Sequence, residues 1–251
     1  DLEINNLVDG KPIKLYYVRM HENTGSSGGF HEGMKRAYEK GYDWFWLMDD
    51  DVEPLEHALE TQLKYKSVSE CIHPSKVYLD GSRFAWEGRI CEQTGFEVFF
   101  GDEFLNNKEW TTVNFGCFEG MLISRNIVTK ISFPDKRLFT VGDDTIYGYL
   151  ASKYTNNIYI SLVCFVKKID KRGKNLSRLG FFLIYRNKYV YISKRIAKSK
   201  FLWFLNFAGI LIRNIIGRII KGEPVKIIDI LRGTLHGLLG IWGGEKKYLK
   251  S

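Results

Sequence analysis

The hydrophobic pattern changes period repeatedly along the first two-thirds of the chain. Ile13 to Val18 (IKLYYV) reads as a strand. NTGSSGGF, Asn23 to Phe30, is a glycine-rich loop, and a helical pattern from His31 to Lys40 follows, with Gly41 as its C-terminal cap. Trp44 to Met48 is a continuous apolar run, the mark of a strand buried on both faces. It ends on three carboxylates, after which Pro54 opens a second helix over Leu55 to Lys66. Strand, glycine loop, helix, strand, acidic turn and helix predict an α/β domain with a largely parallel sheet. From Cys71 to Asn114 short β-like pieces (Lys76–Leu79, Glu97–Phe100) alternate with glycine-bearing turns. Phe118 to Ser124 then reads as a strand and Asn126–Ile131 as a helix. Leu138 to Val141 has a strand pattern that ends at Gly142-Asp143-Asp144 and leads into a helix over Thr145 to Lys153. Ile158 to Val166 reads as the last strand, and the chain has no internal repeat.

The character changes after Lys167. KKIDKRGKN is a charged connector, and from Phe181 onward apolar residues recur at helical spacing among lysines and arginines. Val225, Ile228, Leu231, Leu235, Leu238 and Trp242 fall near one helix face. The expected organisation is therefore an α/β domain over 1–166 and a basic amphipathic helical region over 167–251. The longest uncharged apolar-rich run, Phe201 to Ile212, has twelve residues. A membrane span needs roughly 20, so a transmembrane helix is disfavoured.

Composition narrows the choice. The chain has 251 residues, 45% hydrophobic and 15% aromatic, enough for a sizeable core, which excludes wholesale disorder. Lys and Arg number 37 against 29 Asp and Glu, a net charge of +8. The charge is split: Asp1–Cys164 carries 17 basic and 25 acidic residues, a net of −8, while Phe165–Ser251 carries 20 and 4, a net of +16. That asymmetry argues against nucleic acid as a partner and for an acidic working domain with a basic tail. A basic helix rich in Trp, Phe and Leu suits an anionic membrane surface, and the charge excess favours that reading over an ordinary packed subdomain. The cysteines Cys71, Cys91, Cys117 and Cys164 lack zinc-site spacing and read as reduced thiols in a reducing compartment.

Asp49-Asp50-Asp51 is the sharpest chemical feature. Adjacent carboxylates after a buried strand repel one another, and Mg²⁺ or Mn²⁺ prefers such hard oxygen ligands. Alternation in an extended segment lets Asp49 and Asp51 face one site while Asp50 faces away. In open α/β sheets ligands bind outside the carboxyl ends of the strands. In the glycine loop, Gly25, Gly28 and Gly29 permit close backbone approach, and the following helix offers an anion its N-terminus. Neither the P-loop nor the G-x-G-x-x-G spacing is present. Asp143-Asp144 is a second pair: neighbouring carboxylates raise one another's proton affinity, as suits a general base, although on the pair alone a helix cap is the better reading.

NTGSSGGF, GYDWFWLMDDD, FEGMLISR and GDDTIYGYL together resemble a family 2 glycosyltransferase of the GT-A fold, over about residues 13–166. Within the family the chain most resembles the galactofuranosyl- and rhamnosyltransferase branch that builds bacterial surface polysaccharides. The resemblance implies a Rossmann-like, mostly parallel sheet flanked by helices, with a helical basic extension. It implies an inverting transfer from a nucleotide sugar, UDP- or dTDP-linked, to a glycan or lipid-linked acceptor, assisted by Mn²⁺ or Mg²⁺. By position it assigns Asp49 and Asp51 to the metal and Asp144, beside Asp143, to the catalytic base. Asn23, Gly25, Gly28, Gly29, Asp49 and Asp50 fall to the nucleotide. The aromatic acceptor loop falls on Asn114–Phe118, which points to Phe115 and Phe118, with Trp86 and Trp110 as further aromatic floor. The expected location is peripheral, on the cytoplasmic face of the cell membrane. The family pattern has a nucleotide loop and two strands ahead of Ile13, so roughly 40 residues of that half are expected to be absent. Relatives tend to carry a metal-ligating His near the last strand, where this chain has SLVCFVKK. A sugar nucleotidyltransferase and a non-catalytic membrane-associated partner of glycan assembly are the rival readings. The first wants a glycine-rich N-terminal loop ending in a basic residue, which is not seen here.

Overall fold

A computed structural model describes residues 2–8, 11–99, 108–168 and 176–249. Most of the charged connector, residues 169–175, lies outside them. The centre is a seven-stranded mixed sheet of β3 (Trp44–Leu47), β10 (Met121–Ser124), β5 (Cys71–Tyr78), β11 (Ile158–Lys167) and β4 (Val52–Pro54) in that order, with β6 (Arg83–Phe84) on β5 and β9 (Trp110–Thr112) on β11. Outside it lie two hairpins, β1 (Leu2–Val8) with β2 (Lys11–Tyr17), and β7 (Gly88–Ile90) with β8 (Glu97–Phe99). The helices of this part are α1 (Gly25–Glu39), α2 (Ala58–Leu63), α3 (Arg125–Ile131) and α4 (Asp143–Ala151).

The fold is the expected α/β sheet with flanking helices, but its strand directions are more mixed. β3, β5 and β11 share one direction, yet β10 lies antiparallel between β3 and β5, and only β5–β11 pairs in parallel. A parallel return needs a crossover, usually helical. Among the described residues, the path from β5 to β10 holds strands and turns and no helix. Two further expectations change. The stretch before Ile13 contains a strand, and the strand expected at Ile13–Val18 pairs with it instead of joining the sheet. The glycine "loop" is largely helix: α1 begins at Gly25, because the Asn23 carboxamide accepts the Gly25 N–H at 3.0 Å and the Ser27 N–H reaches the Phe139 carbonyl at 3.0 Å.

Two-residue alternation divides the apolar run of β3 between two cores. Phe45 and Leu47 join Met121, Ile123, Met34 of α1, Ile127 of α3 and Tyr147 of α4 on one face. Trp44, Trp46 and Met48 pack with Leu122, Ile72, Ile160 and Phe165 on the other.

Residues 178–248 form α5 (Arg178–Leu183), a π-helical stretch over Ile184–Ile192, α6 (Ser193–Ile196), α7 (Lys200–Ile220), α8 (Pro224–Leu239) and a final 3₁₀ turn (Gly244–Tyr248). Phe181, Tyr185, Trp203, Phe207 and Ile230 form their core. The π-helical stretch docks on the sheet domain: Asn187 donates to the carbonyls of Leu138, Thr140 and Val141 at 2.8–3.0 Å, and buried Arg186 donates to those of Arg137 and Leu138 while pairing with Glu245 of the final turn.

On β5, fully buried Lys76 forms an ion pair with Glu87, with Cys117 Sγ 3.2 Å from the ammonium. Removing one partner leaves a buried uncompensated charge, whereas replacing both with apolar groups is often neutral. Lys76→Ala should cost about 3–5 kcal/mol in urea denaturation, and the Lys76→Met/Glu87→Leu double variant should recover most of that loss.

Candidate active site

Five elements end at one place: α1 at its start, β3 and β11 at their carboxyl ends, the turn before β10, and α4 at its start. The turn after β3 carries Asp49–Asp51. Asp50 is exposed, while Asp49 and Asp51 are half-buried and converge with Glu119, one oxygen of each lying within 4.8 Å of the others. Glu119 precedes Gly120, whose φ of +89° and tight seat against Pro74 and the Phe165 ring admit no side chain. The Gly120 N–H donates to the Leu47 carbonyl at 2.7 Å, and Gln62 donates to the Gly120 carbonyl at 2.8 Å. The position of Glu119 relative to the end of β3 is therefore fixed by backbone.

Lys167 closes the group from the end of β11. Its ammonium pairs with Asp51 at 2.7 Å and also with Glu119. Burial, with Glu119 beside it, pushes the Asp49 carboxyl up to about 6, against the pull of Lys167. Three hard carboxylate oxygens at the strand ends fit a divalent cation, and Lys167 pairs with two of these carboxylates.

Asp143 and Asp144 open α4 across the same cleft. Asp143 is buried and accepts from Ser26 Oγ of α1 at 3.1 Å. The anion at the start of α1 is thus a side chain of the protein itself. Asp144 keeps a partial opening to solvent although protein crowds its carboxyl. It accepts from the Thr145 N–H at 2.6 Å and makes no cap of the N-cap kind; the N-cap residue is Gly142. Burial, then the charge of Asp143, holds the Asp144 proton well above the ordinary carboxylate range; Glu97 adds to this and Lys188 opposes it. Asp143 is raised as well, by burial. The loop delivering the pair is strained: Phe139 and Val141 have φ of +66° and +69°, an outlier for a β-branched residue. The three Asn187 hydrogen bonds hold it.

The other candidates are placed as follows. Asn23 tethers the start of α1, and Gly25 (φ +68°) lies so close to the Phe139 carbonyl that a Cβ would overlap it. Gly28 is buried against Thr24, while Gly29 faces open space. Phe115 is fully buried and Phe118 packs between Phe30 and Tyr147, so neither ring is presented to a ligand. Trp86, at 41% exposure, and Trp110 remain at the surface. Trp86 meets Phe99 edge-on at 5.7 Å, with the Lys188 ammonium over both rings. Lys188 pairs with Glu97, and both line a cavity of about 200 Å³ with Phe96, Phe99 and Ile210. Sequence reasoning missed Glu119, Lys167, Glu97, Lys188 and Asn187. Glu119 and Lys167 carry a local signal: like Asp49, each stands at the end of a buried apolar strand.

An α/β sheet with an acidic site at its strand ends and a carboxylate pair across the cleft defines the GT-A fold. The chain belongs to glycosyl transferase family 2, whose pattern matches residues 3–132. It is 30% identical over 152 residues to Galactofuranosyltransferase GlfT1 of Mycolicibacterium smegmatis, covering 57% of this chain and 50% of the relative. It is 32% identical over 161 residues to the protein of the same name from Mycobacterium tuberculosis, covering 57% and 48%. The chain spans about half the length of these relatives.

A carboxyl whose folded pKa is raised contributes stability below its unfolded value, near 4, and loses it as pH rises toward the folded value. Ionised Asp144 therefore costs stability at neutral pH. Asp144→Asn should melt at a higher temperature than wild type at pH 7–8, and the difference should shrink toward pH 4 in thermal melts.

Proposed function

We propose that the protein is an inverting glycosyltransferase that moves a sugar from a nucleotide-sugar donor to a glycan or lipid-linked acceptor in surface polysaccharide synthesis. The observation that carries this reading is the convergence of Asp49, Asp51 and Glu119 with Asp143 and Asp144 in one cleft. In this reading Asp49 and Asp51 would hold Mn²⁺ or Mg²⁺ beside the donor diphosphate. Such an ion neutralises the charge that grows on a departing nucleoside diphosphate. Asp144 takes the proton from the acceptor hydroxyl, and its raised proton affinity suits a base that must first bind and then release that proton. Asp143, fixed by Ser26, keeps Asp144 in register and supplies the negative neighbour that raises it. The exposed rings of Trp86 and Phe99, beside Lys188 and the adjoining cavity, are the better candidates for the acceptor floor than Phe115 and Phe118. The donor is UDP- or dTDP-linked, and the relatives' name makes galactofuranose the first sugar to test.

The division of labour follows the charge split, with catalysis in 1–166 and membrane contact in 167–251. α7 is long and apolar enough to cross a membrane by length and composition, and it is mostly unburied. α7 exposes Phe201, Phe204, Ile212, Ile216 and Ile219, and α8 exposes Val225, Ile228, Leu231 and Leu235. An apolar face this size, in a region of net charge +16, supports peripheral binding to an anionic surface. Four unbonded cysteines fit the cytoplasmic side.

In a transfer assay with nucleotide sugars and Mn²⁺, Asp144→Asn should lower kcat by at least 100-fold while donor affinity in titration calorimetry stays within about threefold. Undiminished turnover would remove Asp144 from the base role. The protein should float with vesicles containing anionic lipid, and raised salt or Ile219→Glu should release it. Binding indifferent to lipid charge would contradict the peripheral reading.

A further inference from the structure

The cluster of Asp49, Asp51 and Glu119 already contains a cation, and it belongs to the chain. Lys167 is the last residue of β11, its side chain only 7% exposed. Its ammonium bridges two of the three carboxylates, Asp51 and Glu119, leaving Asp49 as the member without that contact. The backbone around it is not free to withdraw. Lys167 is in register with Val52 of β4 on one side and Tyr78 of β5 on the other, and the following Lys168 N–H donates to the Asp51 carbonyl at 2.8 Å. Only the side chain can move.

A divalent ion of the Mg²⁺ or Mn²⁺ kind needs oxygen ligands at about 2.1 Å in an octahedron. Asp51 and Glu119 cannot offer such an ion the oxygens that point at the ammonium. Two cations seated among the same three carboxylates would also repel at short range in a partly buried site. A divalent ion seated on those two oxygens therefore requires the ammonium to leave them. In its present place the ammonium already lies 5.6 Å from the Phe84 ring centroid, a ring that Lys76 Nζ also approaches at 5.8 Å.

Resting on the reading of this cleft as the donor site, we propose that Lys167 is the resident counter-cation of the acidic cluster, and that a divalent cation enters only by displacing its ammonium from Asp51 and Glu119. Lys167 thereby sets the metal concentration at which the site fills. It also keeps three converging carboxylates compatible with the folded state when no metal is bound.

The test uses Mn²⁺ alone, followed by its electron paramagnetic resonance signal and by calorimetry. Lys167→Met keeps the length of the side chain and removes the charge, and it should bind Mn²⁺ at least tenfold more tightly than wild type. Lys167→Arg keeps the charge in a form that grips two carboxylates at once, and should bind more weakly than wild type. On the wild-type protein, reductive methylation read by mass spectrometry should modify Lys167 slowly without metal and several-fold faster at saturating Mn²⁺, a measurement that needs no variant to fold. Equal Mn²⁺ affinity in wild type and Lys167→Met, or Lys167 reactivity unmoved by Mn²⁺, overturns the displacement while leaving the cluster a metal site. Failure of wild type and Lys167→Met alike to bind Mn²⁺ overturns both the proposal and the metal reading on which it rests.

Discussion

The neutralisation of carboxylates at the strand ends is the constraint on which this structure turns. Asp49, Asp51, Glu119, Asp143 and Asp144 are drawn into one cleft, and buried like charges are tolerated only when each is paired, hydrogen-bonded or protonated. The chain uses pairing and hydrogen bonding, and burial raises the proton affinity of those left over. Lys167 pairs with Asp51 and Glu119, Ser26 donates to Asp143, and burial pushes Asp49 and Asp144 toward their neutral forms. Just behind them Lys76 and Glu87 form a second buried pair, linked through Cys117 to Glu119. The carboxylates of the cleft are thus held by cations of the chain itself, Lys167 at the end of β11 and Lys76 on β5.

The helical C-terminal region takes part in this arrangement. Asn187 gathers three carbonyls of the strained loop at 138–141, and Ile192 packs where a side chain on Gly142 would otherwise sit. Strain held at positive φ in Phe139 and Val141 is sustained only where surrounding structure over-determines it, and here it sets the direction in which Asp143 and Asp144 enter the cleft. The same helices turn an apolar face outward. Through Ile210 of α7 the cavity beside Glu97 and Lys188 adjoins that face, so this cavity and the unburied helices are neighbours.

Much of this is legible in the sequence because it rests on local pattern. The run from Trp44 to Met48 announces a strand buried on both faces, and its alternation separates Phe45 and Leu47 from Trp44 and Trp46 as observed. Helix α4 and strand β11 fall close to their predicted bounds. The glycines at 25, 28 and 29 mislead because low helix propensity suggests a loop, whereas tertiary tethers to Phe139 make that segment the start of a helix. The direction of β10 depends on a long excursion whose path has no period. Glu119, Lys167 and Asn187 lie about 70, 116 and 44 residues from the site residues they serve (from Asp49, Asp51 and Asp143). Such pairings are fixed by topology, and no window along the chain contains both partners.

The most direct test is the position of a metal in crystals of the protein grown with Mn²⁺ and a nucleoside diphosphate, located by anomalous scattering. One strong peak should lie on carboxylate oxygens of Asp49 and Asp51, with the diphosphate beside it, Lys167 turned away, and the Asp144 carboxyl facing it across the cleft. A peak elsewhere, or a diphosphate bound away from Asp49 and Asp51, would contradict that placement.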